Sequence, residues 1–301
     1  MTRRFPSLRL AGGAAALLAA LAFGGAATAA ETLRIGKANS TSFVFALVDA
    51  GVAAGIFEKH GLALEISGFG GGPKLQQALA AGSVDIGVSA GPDMALIAKG
   101  APVKAVAAVF DGIDQVLVTN PAAGYASVDD LEGKTFAASS PASLSGWLPR
   151  RLAETRGWGP DGVTLQMVNS QPSAIALLET GQIDAMTLDP ATARQGEKGG
   201  KMTITYRFSE LLPKFHQYAL YATDEVIGGR PDALRAFLAG WIETLAYARG
   251  HKDEVVKSIS AAIGIEEATL SDVYDEVMPL FSADGKFDPE AMDILLDSFV
   301  S

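Results

Sequence analysis

Short apolar stretches alternate with longer, mixed stretches along the chain from residue 33 onward. Short apolar stretches between longer helical ones are typical of βαβ units, in which parallel strands are joined by helices. The pattern therefore predicts an α/β fold with a largely parallel sheet. In the first round, strands are predicted at 33–38, 62–69, 84–90 and 103–110, and helices at 42–61, 73–82 and 92–100.

A second round of the same pattern begins near residue 134. The stretch Leu79-Ala-Ala-Gly-Ser-Val-Asp85 is echoed by Leu178-Glu-Thr-Gly-Gln-Ile-Asp184, and each aspartate is expected to cap the turn that opens the next strand. Two similar α/β lobes in tandem are therefore predicted. After residue 231 the pattern becomes helical, and the extended segment 215–227 is expected to return the chain to the first lobe.

The first 30 residues have the composition of a secretory signal peptide. Three arginines are followed by an apolar run over 10–26 and by small residues at 27–30. The chain has no cysteine, so disulfides, cysteine-bound metals and a lipid-anchored lipoprotein are excluded. Without the three arginines the net charge of −10 becomes −13, which argues against nucleic acid or an anionic membrane as partner. We expect a free periplasmic protein.

Small and hydroxyl-bearing residues follow the predicted strands in both rounds. In open α/β sheets, ligands bind outside the carboxyl ends of the strands. The helix N-termini that begin there carry unpaired N–H groups and partial positive charge, which suit a small polar or anionic ligand. The loops are 38–43, 68–73 and 88–93 in the first round, and 138–147, 168–174 and 187–192 in the second.

The stretch Gly87-Val-Ser89-Ala-Gly91 has the Gly-x-Ser-x-Gly pattern of a hydrolase nucleophile elbow. A secreted α/β-hydrolase would use Ser89 together with Asp189 and His216 or His251. The equivalent turn of the second round, 186–190, has no serine, so small residues around Ser89 are better explained by close approach of backbone to ligand. The sequence predicts no enzyme, and His216 in the returning segment is a candidate ligand contact.

The chain resembles the nitrate, sulfonate and taurine group of periplasmic solute-binding proteins of ABC transporters. The resemblance rests on the order and spacing of "AAGIFEKHGLALEI" (53–66), "ALAAGSVDIGVSAG" (78–91), "VDDLEGKTFAASSPAS" (128–143) and "ALLETGQIDA" (176–185). It implies the type II periplasmic-binding-protein fold, with two α/β lobes joined by two crossing segments near 115–119 and 212–222. We therefore expect a signal peptide at 1–30, lobe 1 at 31–117 plus 214–301, and lobe 2 at 118–213.

The resemblance also implies which residues contact the ligand between the lobes. Lys37, Lys74 and Arg150 are the cations expected nearby, and aromatic residues such as Phe43, Phe110, Trp147 and Tyr218 could form an apolar wall. The predicted ligand-binding residues are Ser40, Thr41, Phe43, Gly70, Gly71, Ser89, Ala90, Ser140, Ser143, Asn169, Asp189 and His216.

The helix N-termini, hydroxyls and glycine N–H groups at the predicted cleft are hydrogen-bond donors, so they favour an acceptor-rich ligand. The expected ligand is a small organic anion such as a sulfonate or carboxylate. Asp189 would accept an amino group at the other end of a zwitterion such as taurine. No cofactor and no catalytic or metal site is expected. The expected partner is an ABC permease of the inner membrane, with the protein itself a monomer; a ligand sensor that presents its closed form to a membrane receptor is the alternative.

Overall fold

The computed structural model describes residues 1–2, 30–141 and 143–298. The predicted signal peptide lies almost entirely outside the described residues. The described chain forms two five-stranded sheets with helices around them. The strands are β1 Glu31–Lys37, β2 Leu62–Gly68, β3 Ile86–Ala90, β4 Val103–Ala108, β5 Val116–Thr119, β6 Lys134–Ala138, β7 Val163–Met167, β8 Ala185–Leu188, β9 Thr203–Arg207 and β10 Tyr218–Thr223.

The two sheets have the same arrangement of strands. The first has the order β2-β1-β3-β10-β4, and the second has the order β7-β6-β8-β5-β9. β1 pairs in parallel with β2 and β3, as β6 does with β7 and β8. The α/β fold with two repeated units is therefore confirmed.

Each sheet nevertheless contains one antiparallel strand, which the prediction of a largely parallel sheet did not include. β10 runs antiparallel to β3 and β4, and β5 runs antiparallel to β8 and β9. These are the two strands by which the chain enters a sheet after crossing from the other sheet. Each crossing segment enters its new sheet at the side where the parallel strands have their carboxyl ends. The entering strand must therefore run in the direction opposite to theirs.

The echoed aspartates of the two rounds make the same backbone contact in both sheets. The Arg34 N–H donates to Asp85 Oδ2 at 2.8 Å, and the Thr135 N–H donates to Asp184 Oδ2 at 2.9 Å. Each carboxylate thus binds the strand beside its own, instead of capping its own turn as predicted. Asp85 adds ion pairs to the Arg34 and Arg230 guanidinium groups, both at 2.6 Å.

Helices connect the strands, and the helices that follow from residue 224 onward cover the first sheet. They are α1 Leu47–Ala53, α2 Ile56–Lys59, α3 Gly72–Ala80, α4 Ala95–Ala98, α5 Leu144–Arg156, α6 Gln171–Glu179, α7 Pro190–Lys198, α8 Asp224–Gly229, α9 Pro231–Gly250, α10 Lys252–Ile263, α11 Glu267–Val277 and α12 Pro289–Asp297.

The helix predicted at 42–61 is divided into a turn, α1 and α2. Gly55, between the two helices, has φ +68°, a left-handed conformation that ends α1 and redirects the chain. α9 packs its buried face against both short helices, with Phe237 stacked on Phe57 at a ring distance of 5.4 Å. Within the described ranges, no helix is long and apolar enough to cross a membrane.

Two segments carry the chain between the sheets, at 109–115 and 208–217. Side-chain amides join them: the Asp114 N–H donates to Gln217 Oε1 and Gln217 Nε2 donates to Asp114 Oδ1, both at 2.6 Å. Gln115 Nε2 donates to the Tyr218 hydroxyl at 3.1 Å. Val116 and Leu117, which the sequence assigns to the first lobe, lie in β5 of the second sheet.

Candidate functional site

A cavity of about 770 Å³ lies between the two sheets. Loops that follow β1, β2 and β3 line one side, and loops that follow β6, β7 and β8 line the other. Two residues beside the crossing segments also line the cavity: Gln115 ends the first segment, and Tyr218 follows the second. Two further lining residues are Ile263 at the end of α10 and Ile265 just beyond it. The parallel strands of both sheets therefore point their carboxyl ends at one shared cavity, as the position of the loops predicted.

Eight of the predicted ligand-binding residues line this cavity. They come from loops of both sheets. The eight are Ser40, Thr41, Gly70, Gly71, Ala90, Ser143, Asn169 and Asp189.

Four predicted residues do not line the cavity. Phe43 is buried in the core, with an edge-on ring contact to Tyr274 at 6.4 Å. Ser89 is 0% exposed, and its hydroxyl donates to Asp93 Oδ2. Ser140 lies at the turn before α5, where its carbonyl accepts the Ser143 hydroxyl at 2.7 Å. The fourth residue, His216, belongs to the second crossing segment.

His216 is wholly buried and is used in the fold. Its Nδ1 lies 2.8 Å from the Phe110 carbonyl, and its Nε2 accepts the Asp288 N–H at 2.7 Å. The two contacts fix the tautomer with hydrogen on Nδ1 and tie the second crossing segment to the start of α12. No hydrogen-bonded Ser89–His216–Asp189 triad is assembled, because Ser89 bonds Asp93 and both His216 nitrogens bond backbone groups.

The expected aromatic wall is mostly core. Phe110 and Trp147 are buried away from the cavity, and Trp147 stacks on Phe215 of the second crossing segment at 5.2 Å. Tyr218 does line the cavity. The apolar lining comes instead from residues that the sequence did not single out, namely Phe45, Phe69, Leu144, Ile175, Met186, Leu188, Ile263 and Ile265.

Asp93 is the most informative residue that the sequence prediction missed. It lines the cavity just after β3, and its carboxylate lies against Gly72, the first residue of α3, where a Cβ would overlap it. Burial raises the pKa of Asp93 to about 6, although hydrogen bonds from the Ser89 side chain and the Ala90 backbone act in the opposite direction. Its position directly after a predicted strand and a proline was a signal that could have found it.

Asp189 lies after β8, the strand of the second sheet that is equivalent to β3. It is the N-cap of α7, where Oδ1 accepts the Thr192 N–H at 3.1 Å and Oδ2 accepts the Thr192 hydroxyl at 2.9 Å. Burial raises the pKa of Asp189 as well, despite these hydrogen bonds. In the first crossing segment, burial raises the pKa of Asp114 to about 7. The nearby charge of Asp189 also raises it, whereas the hydrogen bond from Gln217 lowers it.

None of the three cations expected near the ligand lines the cavity, although Lys74 lies beside a lining residue. Lys37 pairs with Asp49 at 2.7 Å, and the Arg150 guanidinium donates to the carbonyls of Gly146 and Pro141. The exposed Lys74 ammonium lies beside Gly70 at the rim. Among the described residues that line the cavity, none is Lys, Arg or His, and the charged side chains are those of Asp93 and Asp189.

Direct contacts also join the two sides across the cavity and beside it. Asn39 Nδ2, after β1, donates to Gln171 Oε1 in the first turn of α6. Glu276 of α11 pairs with Arg194 of α7 at 2.6 Å and with Arg207 at the end of β9. Lys198 Nζ of α7 donates to the Thr269 hydroxyl of α11 at 2.8 Å.

Two lobes of equal topology around one cavity are the arrangement of the periplasmic-binding-protein fold. The family description "NMT1/THI5 like" matches residues 42–255, and the chain belongs to this family. A protein of Brucella abortus (strain 2308) that is named as a binding protein is 28% identical over 222 residues, which cover 72% of this chain and 67% of the relative. The family and the fold are those of binding proteins, not of enzymes.

Solved structures confirm the fold. The alkanesulfonate-binding protein SsuA from Xanthomonas axonopodis pv. citri, bound to MOPS, has a TM-score of 0.74 at 16% identity, covering 89% of this chain and 90% of that chain. The periplasmic nitrate-binding protein NrtA from Synechocystis PCC 6803 has a TM-score of 0.66 at 14% identity, covering 80% of this chain and 69% of that chain. At these identities the likeness concerns the fold alone.

Proposed function

We propose that the protein is the extracytoplasmic solute-binding component of an ABC importer. It captures a small organic solute in the cavity between its lobes and delivers it to a membrane permease. The observation that carries this proposal is the cavity that strand-end loops of both sheets build together. A solute that contacts both sides favours the arrangement in which they are closed over it, and a permease can distinguish that arrangement from the open one.

The proposal includes the location expected from the sequence, and it adjusts the expected domain limits to the strands. Export by a signal peptide at residues 1–30 releases a monomer into the periplasm. In place of the expected limits of 31–117 plus 214–301 for lobe 1 and 118–213 for lobe 2, lobe 1 comprises 31–108 plus 218–298 and lobe 2 comprises 116–207, and the crossing segments at 109–115 and 208–217 serve as the hinge.

The chemistry of the solute follows from the cavity rather than from the relatives. The similar structures named above bind alkanesulfonate and nitrate, and a small organic anion is the ligand predicted from the sequence. Backbone N–H groups and hydroxyls at the strand ends support an acceptor-rich solute. The two buried carboxylates and the lack of a cation among the described lining residues weigh against a simple anion.

A thermal-shift screen of the mature chain tests solute binding directly. Sulfonates, nitrate, carboxylates, pyrimidines and amines are compared, because a ligand that binds only the folded state raises the unfolding temperature. Small-angle scattering with a saturating hit should then give a smaller radius of gyration than the free protein. Failure of every compound to raise the unfolding temperature contradicts the proposal.

Recovery of the membrane partner separates transport from sensing. Cross-linking of the ligand-loaded protein to its own membranes, followed by mass spectrometry, should identify a permease. Recovery of a signalling receptor in its place would favour the ligand-sensor alternative.

A fluorophosphonate probe should leave Ser89 unlabelled, because its hydroxyl is buried and donates to Asp93.

A further inference from the structure

We propose that the solute presents a protonated nitrogen, as an amine or an amidine, to Asp93 and Asp189. The inference rests on the proposed function and specifies the solute class for the same cavity. Two aspartates line the cavity, one from each side, in the segments that follow the equivalent strands β3 and β8.

The first argument is that carboxylates of the protein already lie at two of the helix N-termini expected to attract an anion. The Asp93 carboxylate lies against the first residue of α3, and the Asp189 carboxylate caps α7. A helix N-terminus stabilises one nearby negative charge, and a second anion there would be repelled by the first. A ligand anion would therefore meet two carboxylates, whereas a ligand cation would pair with them.

The second argument concerns the missing counter-charge. Burial raises the pKa of both Asp93 and Asp189, because no cationic side chain of the described lining compensates for their lost hydration. Buried charges in proteins are normally paired. A protonated nitrogen of the solute would supply that pair, and charge-assisted hydrogen bonds of this kind are among the stronger polar contacts.

An independent observation shows that the polar wall is incomplete without a ligand. Ser42 lines the cavity, is 2% exposed, and its hydroxyl has no hydrogen-bond partner among the described residues. A buried hydroxyl without a partner is costly, so it indicates a polar group of the solute. Phe45, Phe69, Ile263 and Ile265 offer apolar surface in the same cavity for the solute's carbon body.

The test uses the mature chain and two groups of compounds, one aromatic and one aliphatic, in which the members differ mainly in the charge of their polar group. Benzylamine and benzamidine carry a protonated nitrogen, benzamide is neutral, and benzoate and benzenesulfonate are anions; taurine, ethanolamine and ethanesulfonate form an aliphatic group. Thermal shift ranks the compounds, and calorimetry gives the Kd of the strongest binder. Asp93→Asn and Asp189→Asn should each raise the Kd of a nitrogen-bearing binder about 10- to 100-fold.

Two further variants serve as controls. Lys74→Gln removes the cation at the rim and should leave the Kd of that binder unchanged or lower, whereas it would weaken an anion. Asp232→Asn removes one negative charge from the exposed surface of α9, where Asp232 pairs with Arg235, and should change nothing. Circular dichroism confirms that each variant is folded, and asparagine retains an N-cap at residue 189.

Three outcomes decide the matter. A strongest binder with a protonated nitrogen that is weakened by both aspartate variants supports the inference. A strongest binder without such a nitrogen, or one that the aspartate variants leave unchanged or tighten, overturns it while solute binding stands. Absence of binding by every compound overturns this inference and the proposed function together.

Discussion

At the scale of single residues, Asp85 is a strong candidate for stabilising the first sheet. Burial by itself raises its pKa, but hydrogen bonds from the Arg34 side chain and backbone and from Arg230 outweigh burial and hold the pKa at about 2. A carboxyl group whose pKa is lower in the folded state stabilises the fold above its unfolded pKa. That contribution is lost as the pH falls from about 4 to about 2.

Asp85→Asn should therefore lower the free energy of unfolding by about 1–2 kcal/mol at pH 7, the partial exposure of Arg34 reducing the effect. The difference from the wild type should shrink as the pH falls below 4. Urea unfolding at pH 7, 5, 4 and 3 measures it, with the exposed Asp232→Asn as control. An equal difference at every pH would show that the charge of Asp85 is not the cause.

Gly72→Ala tests whether the place of the Asp93 carboxylate matters for binding. A Cβ at residue 72 would overlap that carboxylate, so the side chain must move away from the start of α3. We expect a Kd for the solute raised about tenfold or more, a cost of about 1.4 kcal/mol. Gly228→Ala, where the added methyl meets nothing within 4 Å, is the matched control. Equal affinity in the two variants would separate Asp93 from solute binding.

The comparison of Ser89 with Asp93 shows how far residue-level prediction could go. The loop after β3 was placed at the cavity correctly, because strand ends can be located from the apolar pattern. The 3-10 turn at Gly91–Met94 places Asp93 at the cavity wall, whereas Ser89 lies inside β3, is buried and donates to Asp93. The hydroxyl and glycine content of the loop gave no information about that turn.

At the scale of elements, Gly55 determines how the chain after β1 covers the sheet. Its left-handed φ of +68° separates α1 from α2, and a methyl group added at residue 55 would meet no neighbouring atom within 4 Å. Gly55→Ala should therefore destabilise the protein by about 1 kcal/mol through backbone strain alone. Thermal unfolding measures the loss against Gly228→Ala, whose backbone is not left-handed. A variant as stable as the wild type would mean that the helix break tolerates alanine.

The elements themselves were more predictable than their boundaries and directions. Strands β1–β4 and β6–β8 were predicted because each is a short, largely apolar stretch that alternates with longer helical ones. The antiparallel direction of β5 and β10 depends on the crossings, which involve residues far apart in the chain. The same is true of α9, whose position against α1 and α2 is determined by tertiary packing of Phe237 on Phe57.

At the scale of the whole molecule, contacts between the lobes determine how readily they close. Glu276 of α11 pairs with Arg194 and Arg207, which belong to the second-sheet side, and Lys198 binds Thr269 nearby. These partners lie up to 82 positions apart in the chain, so no local pattern could predict them. Because the pairs exist only while the two sides are close, they favour the closed arrangement independently of the solute.

Glu276→Gln should therefore open the free protein and weaken solute binding together. Two partly exposed ion pairs are worth about 1–2 kcal/mol in total, which changes the ratio of closed to open molecules about 5- to 30-fold. The apparent Kd should rise by up to the same factor, because only the closed arrangement holds the solute on both sides. Small-angle scattering without solute should give a larger radius of gyration than the wild type.

The neighbouring Asp275→Asn is the matched control, because Asp275 pairs with Lys252 at 2.6 Å on the same side of the cavity. It removes the same charge from the same helix without touching a contact between the lobes. Added salt should reduce the difference between wild type and Glu276→Gln, since it screens the ion pairs that only the wild type retains. If the two variants gave the same radius and the same Kd, closure would be governed by the crossing segments and the solute, and the Glu276 pairs would not contribute to it.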